Sequence, residues 1–205
     1  MSPQQSTTAP VVKRLLLITS RVLLTIIICL IAWLLLKAGL PPSVAQNLKD
    51  RELEYKIPTH VPIKIKIRKE KETAIKDATN DKWLSDFEME VTNTSNKPIY
   101  FLELWIILPE IVAENGAVVG MPLRFGRMAF IQHDTLPLPD DVPIRPNESY
   151  TFKIPEKDQR GWYAHKAKGY ATEPKKLQIL FVQLSFGDGT GYNRTDATPY
   201  TPHAS

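Results

Sequence analysis

The chain has 205 residues, of which 26 are Lys or Arg and 22 are Asp or Glu, and its formal net charge is +4 at pH 7. Four of the basic residues precede residue 46 and every acidic residue follows it, so residues 46–205 carry 22 charges of each sign. This balance argues against nucleic-acid binding, which needs a basic surface to neutralise phosphates. The length predicts one ordinary domain with an additional segment.

The N-terminal segment is strongly apolar. Thr25 is the only polar residue between Val22 and Leu36, and the apolar stretch extends back to Leu15. A helix of this length, at about 1.5 Å per residue, can cross a hydrocarbon core of roughly 30 Å. Arg21 interrupts the stretch near one end, where its side chain can reach the headgroups. The sequence therefore predicts a transmembrane signal-anchor helix over residues 15–37 that lies in the lipid bilayer.

The charges that flank this span predict its orientation. Three basic residues, Lys13, Arg14 and Arg21, lie at its N-terminal side without a nearby acid, whereas basic and acidic residues alternate beyond it. Residues 1–14 are therefore predicted to be a cytoplasmic tail, and the C-terminal domain to be periplasmic or extracellular, anchored in the inner or plasma membrane. The alternative is a cleaved signal peptide, with residues 43–45 as its cleavage site.

Cysteine usage indicates how the outer domain is stabilised. The only cysteine, Cys29, lies in the predicted span, so the domain has no disulfide and must be held by its core. This is typical of a bacterial envelope protein. Three Asn-x-Ser/Thr triplets, beginning at Asn93, Asn147 and Asn193, leave N-glycosylation open as an alternative.

The first half of the outer part shows strand patterns. Residues 38–59 are predicted to be a linker, part of which can continue the anchor helix. The alternating stretch VPIKIKIRK, residues 61–69, predicts a strand, and the polar residues that follow, up to Lys82, are interpreted as a connecting loop. FEMEV, residues 87–91, also alternates. The nearly continuous apolar run YFLELWIIL, residues 100–108, predicts either a central strand covered on both faces or a strand whose second face meets another layer.

The second half continues with strands and turns. Asn115-Gly116 predicts a hairpin, and four prolines between residues 133 and 149 exclude a helix or an interior strand there. ESYTFKIP, residues 148–155, predicts a further strand. EKDQRGWYAHKAK, residues 156–168, is predicted to be the only helix outside the membrane.

The last strong pattern is KKLQILFVQLSF, residues 175–186, which predicts the longest apolar strand. Six or seven strands separated by loops rich in Pro and Asn predict a mainly β fold, an antiparallel β-sandwich over residues 60–195. Residues 196–205 are predicted to be a flexible tail.

The stretch LSFGDGTGYN, residues 184–193, could be a phosphate loop, a metal loop or a turn. A phosphate loop needs a helix after its glycines, and Pro199 and Pro202 exclude one. A calcium loop would need more oxygen ligands than Asp188 and Thr190 supply. Asp188-Gly189 instead predicts the two-residue type I′ turn of a hairpin.

The order of three motifs carries a resemblance. EVTNTSNKPIYFLELWI is followed, after a long excursion, by IRPNESYTFKIP and then by a long strand that ends in FGDGTGY. This order resembles the small immunoglobulin-like domains of bacterial membrane-anchored proteins and covers about residues 60–193. The resemblance implies an immunoglobulin-like fold and no particular reaction. The chain differs from antibody domains because it lacks the paired inter-sheet cysteines and a Trp between them.

The sequence contains no pattern typical of an enzyme. Its four histidines have no metal-ligand spacing, and neither Ser149 nor Ser185 lies in a nucleophile elbow. The adjacent His133 and Asp134 lie in the Pro-rich segment. We therefore predict no catalytic residue, no cofactor and no metal site.

Arginines beside aromatic side chains, a composition enriched at protein interfaces, suggest a binding surface. The predicted surface residues are Arg124, Phe125, Arg127, Arg160, Trp162 and Tyr163. Trp162 can instead belong to the core, as is expected of Trp83. The sequence predicts a protein-interaction or envelope-structural module. The alternatives are a carbohydrate-binding or hydrolytic envelope domain and a subunit of a larger membrane complex.

Overall fold

The computed structural model describes residues 50–113, 115–169 and 171–201, which are mainly β. The strands of this part are β1 (Glu52–Lys56), β2 (Ile63–Lys66), β3 (Glu88–Asn93), β4 (Phe101–Val112), β5 (Val118–Gly126), β6 (Ser149–Lys153), β7 (Lys176–Ser185), β8 (Gly191–Asn193) and β9 (Thr198–Tyr200). The helices are α1 (Lys69–Lys76), α2 (Trp83–Asp86), α3 (Glu156–Ala167) and a 3₁₀ helix (Met128–Ile131).

The strands form two sheets. Sheet A has the order β5-β4-β7-β8-β9. On the side of β7 away from β4, the first half of β7 pairs with β1 and the second half pairs with β8. Sheet B has the order β2-β3-β6. The pairing of β1 with β7 is parallel, and the other strand pairs of the two sheets are antiparallel.

One apolar core joins the two sheets. Alternate residues of a strand point to the same face, and every second residue of β4 from Leu102 to Leu108 is completely buried. Met89 and Val91 of sheet B and Ile179 of β7 belong to the same core. Burying a large apolar side chain contributes about 1.5–3 kcal/mol, so this core can replace the stabilisation that disulfides would give. Two mainly antiparallel sheets around one core are consistent with the predicted sandwich.

Most predicted strands are present close to their expected positions. The runs at residues 61–69, 87–91, 100–108 and 175–186 contain β2, β3, β4 and β7. The predicted hairpin at Asn115-Gly116 joins β4 to β5, and β4 lies centrally between β5 and β7. The expectation that both faces of β4 are covered is met only in part. On the face away from the core, Phe101 and Glu103 are buried, whereas Trp105 and Ile107 are half-buried.

The interpretation of residues 69–82 as a loop is wrong, because α1 occupies Lys69–Lys76, and α2 follows. Residues 156–168 are therefore not the only helical segment. Helix α1 is rich in good helix formers and buries one apolar side chain, Ile75, so it lacks the apolar stripe that sequence patterns reveal. Arg51 stabilises its last turn, because its Nη1 donates to the Ile75 carbonyl oxygen at 2.7 Å.

Two segments predicted to be irregular contain strands. Residues 52–56 of the predicted linker form β1, and residues 198–200 of the predicted tail form β9. Each forms its ladder with another strand: Glu52 pairs with the distant Lys176, and Thr198 pairs with Asn193 of the short strand β8. Such pairings leave no periodic apolar signal in a short charged segment such as ELEYK.

The edges of sheet A are protected against addition of a further strand. Two of its three edge strands, β5 and β9, contain Pro122 and Pro199, which cannot donate a backbone hydrogen bond, and the third, β1, carries charged side chains. The predicted membrane span, residues 15–37, lies outside the described residues, as does the predicted tail 1–14. Within the described residues, no helix has the length and apolar character that a membrane crossing requires.

Candidate functional site

Helix α3 is placed by clear local signals. It begins directly after Pro155, carries Glu156 and Asp158 in its first turn, and has His165 and Lys166 in its last turn. These charges are favourable at the ends of the helix dipole. The helix ends before Gly169, whose φ of +77° is readily adopted by glycine.

A groove lies between α3 and the ends of β4 and β5 that meet at their hairpin. Its volume is about 500 Å³, within the range of small-ligand pockets. Its floor is apolar and buried, with Ile111 from β4, Met121 from β5 and Trp162 from α3. Lys157 and Asp158 supply charges of both signs at its rim. The arrangement can bind an apolar group beside polar or charged neighbours.

Gly161 keeps one side of the groove open. A Cβ atom at this position would have no heavy atom within 4 Å. Glycine in the middle of a helix is less favourable than alanine by about 1 kcal/mol. The residue therefore adds space to the groove and weakens α3.

Trp162 separates the groove from the core. Its ring meets that of Trp83 edge to face, with centroids 6.5 Å apart and an interplanar angle of 73°. The Nε1 atoms of both indoles are buried and have no hydrogen-bond partner among the described residues. The Arg51 guanidinium lies 5.1 Å from the centre of the Trp83 ring, a cation–π distance.

Arg51 connects the segments that surround Trp83. Its side chain is fully buried and donates to the carbonyl oxygens of Ile75, Asn80 and Pro174, as well as to Glu173 at 3.1 Å. Burial lowers the pKa of Arg51, and the Glu173 carboxylate opposes that effect. The groove thus depends on a buried, hydrogen-bonded cation that links α1 with the segment before β7.

The predicted residues of α3 lie on different sides of the helix. Trp162 lines the groove, whereas Arg160 is exposed and pairs with Glu156 at 3.2 Å. Tyr163 faces a second cavity of about 350 Å³ beside α2, and its hydroxyl is buried without a hydrogen-bond partner among the described residues.

The predicted residues of β5, and Arg127 directly after it, lie away from the groove. Arg124 pairs with Glu103 on the outer face of sheet A, whereas Phe125 points to the opposite face and contacts Tyr150, with ring centroids 4.7 Å apart. Arg127 donates two hydrogen bonds to Asp141, at 2.8 and 3.1 Å. The six predicted residues therefore do not form one continuous surface, and their part in binding stays a prediction.

The other groove residues were absent from the sequence prediction. The spacing of Lys157, Gly161 and His165 places them on one face of a helix, which is a readable signal. The part of the floor formed by Ile111 and Met121 comes from strands that only the tertiary fold brings to this helix.

The glycine-rich stretch is a turn, as predicted, between β7 and β8. Positive φ angles occur at Gly187 and Gly189 and not at Asp188, so the predicted type I′ turn is wrong. Asp188 instead accepts a hydrogen bond from the Thr190 N–H at 3.0 Å and pairs with Lys97 at 2.7 Å. These local bonds favour a wider turn.

Other chemical candidates take part in structural contacts. Asn93 is buried, and its side-chain amide donates to the carbonyl oxygens of Lys97 and Ile144, so the folded chain does not present it for glycosylation. The His133 ring stacks on Tyr200 at 3.8 Å. In the described part of the chain, no three His, Cys, Asp or Glu side chains converge so as to hold a metal ion.

Comparison with known proteins gives no relative from which a role can be transferred. No protein-family model, curated protein or solved structure matches the chain.

Proposed function

We propose that the protein is a single-pass membrane protein whose β-sandwich binds a protein partner outside the cytoplasm and catalyses no reaction. The membrane part of this proposal rests on the apolar segment 15–37 and on the basic residues that precede it. The groove beside α3 would be the binding site.

The order of the strands supports an immunoglobulin-like topology. If β2, β3 and β6 are taken as strands A, B and E, they form one sheet. Strands β5, β4, β7 and β8 then correspond to C′, C, F and G, in that spatial order, in the other sheet. An immunoglobulin-like sandwich distributes its strands in this way. Such domains carry many different binding functions, so the fold alone does not define the partner.

The observation that carries the proposal is the groove with Trp162 and Met121 in its floor and charges of both signs at its rim. Trp and Met are enriched at protein interfaces, where an apolar centre is surrounded by a polar rim. A peptide segment that presents one large apolar side chain between polar groups fits this chemistry.

Site-specific photo-crosslinking of the full-length chain in its native membrane tests the groove. A photoreactive residue at Lys157, on the rim, is compared with one at Lys64, on the exposed face of β2. We expect a crosslinked protein from position 157 only. Gly161→Leu, which fills the groove, should reduce that product about tenfold, and Gly161→Ala should leave most of it. Equal crosslinking from both positions, or a product unaffected by Gly161→Leu, would contradict the proposal.

A cysteine-labelling experiment tests the location. Cys29 is the only cysteine and lies in the proposed span, so the Lys64→Cys variant has one accessible thiol. A membrane-impermeant maleimide should label this variant in intact cells, after removal of an outer membrane where one is present. Labelling only after the plasma membrane is broken would place the domain in the cytoplasm.

A further inference from the structure

The outer face of sheet A carries a tryptophan that the groove does not use. Leu104 and Ile106 of β4 are completely buried in the core, whereas Trp105, between them, is half-buried. Because side chains of a strand alternate between faces, Trp105 points away from the core. Its indole is thus an aromatic surface on the open side of the sheet.

The Trp105 ring rests on the backbone of the neighbouring strand. A Cβ atom added to Gly120 of β5 would lie 2.8 Å from Cε3 and 3.2 Å from Cζ3 of Trp105. These distances are shorter than a normal carbon–carbon contact, so the ring can take this position only because residue 120 is glycine. The ring is therefore fixed against β5, and Trp105 remains partly exposed.

A buried carboxylate sets the orientation of the ring. Trp105 Nε1 donates to Oε1 of Glu103 at 3.0 Å, and Arg124 Nε donates to the same oxygen at 2.7 Å. The Glu103 side chain is only 8% exposed, while that of Arg124 is 38% exposed. Glu103 is thus a positioning residue, and Arg124 presents a guanidinium beside the ring.

The strand register continues this surface across four strands. Trp105 pairs with Pro122 of β5 and with Leu180 of β7, and Leu180 pairs with Lys56 of β1. With neighbouring strands about 4.8 Å apart, the row from Pro122 to Lys56 is about 14 Å long. We refer to this row and to the row beside it, Gly120, Ile107, Gln178 and Glu54, as the outer strip.

The end of the outer strip on β1 is polar. The Gln178 amide donates to Glu54 at 2.8 Å, and Lys176 pairs with Glu54 at 2.8 Å and with Glu52 at 3.3 Å. Lys56 also contacts Glu54. Together with Glu103 and Arg124, the charges of the strip and its immediate neighbours balance, with three of each sign. A ligand of strong net charge would gain little here.

We propose that the outer strip binds an uncharged oligosaccharide, with one sugar ring stacked on Trp105. A pyranose has an apolar face of C–H groups and a rim of hydroxyls that both donate and accept hydrogen bonds. The aromatic surface of Trp105 matches the C–H face. Arg124 on one side of the ring, and Gln178 and Lys56 on the other, match the hydroxyls. Few, well-placed polar groups beside an apolar surface are typical of ligand sites. The proposal does not depend on the groove, because the two sites share only Gly120.

Binding is tested with the full-length protein in lipid nanodiscs, which avoids detergents with sugar headgroups. Cellohexaose, chitohexaose and maltohexaose serve as neutral probes in calorimetric titrations. We expect at least one of them to bind with a Kd of about 1 mM or lower. Trp105→Ala should weaken that binding at least about tenfold, and Trp105→Phe, which keeps an aromatic ring, should weaken it less.

Two control variants separate this site from the rest of the molecule. Lys64→Ala, on sheet B, and Gly161→Leu, in the groove, should leave the sugar affinity unchanged. Near-UV circular dichroism confirms that each variant is folded. Absence of binding for all three probes would overturn the proposal. So would equal affinity of the wild-type protein and a folded Trp105→Ala variant. Loss of sugar binding in Gly161→Leu would show that the sugar occupies the groove instead.

Discussion

Two glycines in the domain have opposite surroundings. Gly161 lies on α3 beside the groove, and a Cβ there would meet no atom within 4 Å. Gly120 lies on β5, and a Cβ there would meet side-chain atoms of Trp105 and Ile107 at 2.8 and 2.9 Å. One glycine leaves space that a ligand can fill, and the other allows an aromatic ring to pack. The same residue type therefore supports two different kinds of surface.

The two surfaces also depend on different parts of the fold. The groove needs α3, which is held through Trp162, Trp83 and the buried Arg51. The outer strip needs the register of β5, β4, β7 and β1, which is fixed by backbone pairing. Substitutions should therefore affect the two surfaces separately, and their expected effects on stability differ in size and in sign.

The largest effect is expected from Trp162→Ala. Trp162 is only 5% exposed between the core and the groove, and truncation of a buried Trp costs about 3–5 kcal/mol of unfolding free energy. Urea denaturation measures the loss. Because the cavity adjoins the open groove, we expect a value near the lower limit, about 3 kcal/mol. A loss below about 1 kcal/mol would show that α3 does not depend on this contact.

Gly120→Ala should be destabilising by about 1–2 kcal/mol, because the added methyl group displaces the rigid Trp105 ring. Urea denaturation gives the value, and near-UV circular dichroism reports the movement of the indole. The matched control is the same substitution in a Trp105→Leu background, where the rigid ring is absent. There Gly120→Ala should cost clearly less, because the remaining close atom is Cδ1 of Ile107, the end of a flexible side chain. An equal cost in both backgrounds would mean that the ring does not lie on Gly120.

The sequence alone predicted the elements that carry clear local signals, such as regular alternation of apolar residues or a proline and a glycine at the ends of a helix. The alternation of Ile63 and Ile65 predicted β2, and Pro155 with the stop at Gly169 predicted α3. Elements formed by long-range pairing were missed, such as β1, whose partner β7 lies more than a hundred residues later. The apolar residues of both faces of β4 also concealed that Trp105 faces outwards, since alternation is invisible when both faces are apolar.

The candidate site was predictable only in part, for the same reason. Trp162 was recognised, because an aromatic beside Arg160 is a local feature of the sequence. Met121 and Ile111 were not, since their approach to α3 results from the packing of the β4–β5 hairpin. Local patterns identify the side of the groove formed by α3, and the side formed by β4 and β5 depends on the tertiary fold.

Gly161→Ala should change the unfolding free energy in the direction opposite to Gly120→Ala. The added methyl group meets no atom, and alanine is about 1 kcal/mol more favourable than glycine inside a helix, so the unfolding free energy should rise by about that amount. The reverse substitution at an exposed position of the same helix, Ala164→Gly, should lower it similarly. Destabilisation by Gly161→Ala in urea denaturation would show that the groove is closed in solution.

The smallest effect concerns the polar end of the outer strip. Hydrogen bonds from Lys176, then from Lys56 and Gln178, lower the pKa of Glu54 to about 2. A carboxyl whose pKa is lower in the folded state stabilises the protein above its unfolded pKa, roughly 4.3, and this contribution is lost as the pH falls towards 2. The urea midpoint of the wild-type protein should therefore decrease between pH 5 and pH 2.

Glu54→Gln should make this decrease shallower, because a neutral amide does not titrate. A decrease should remain, since other carboxyls with lowered pKa values, among them Glu88 and Asp141, lose their pairing in the same range. Glu156→Gln, on the exposed side of α3, is the matched control and should change the slope less, because its ion pair with Arg160 is exposed. If the Glu54 and Glu156 variants gave the same slope, the ion pairs of the strip would be too weak to fix the polar groups that the sugar proposal requires.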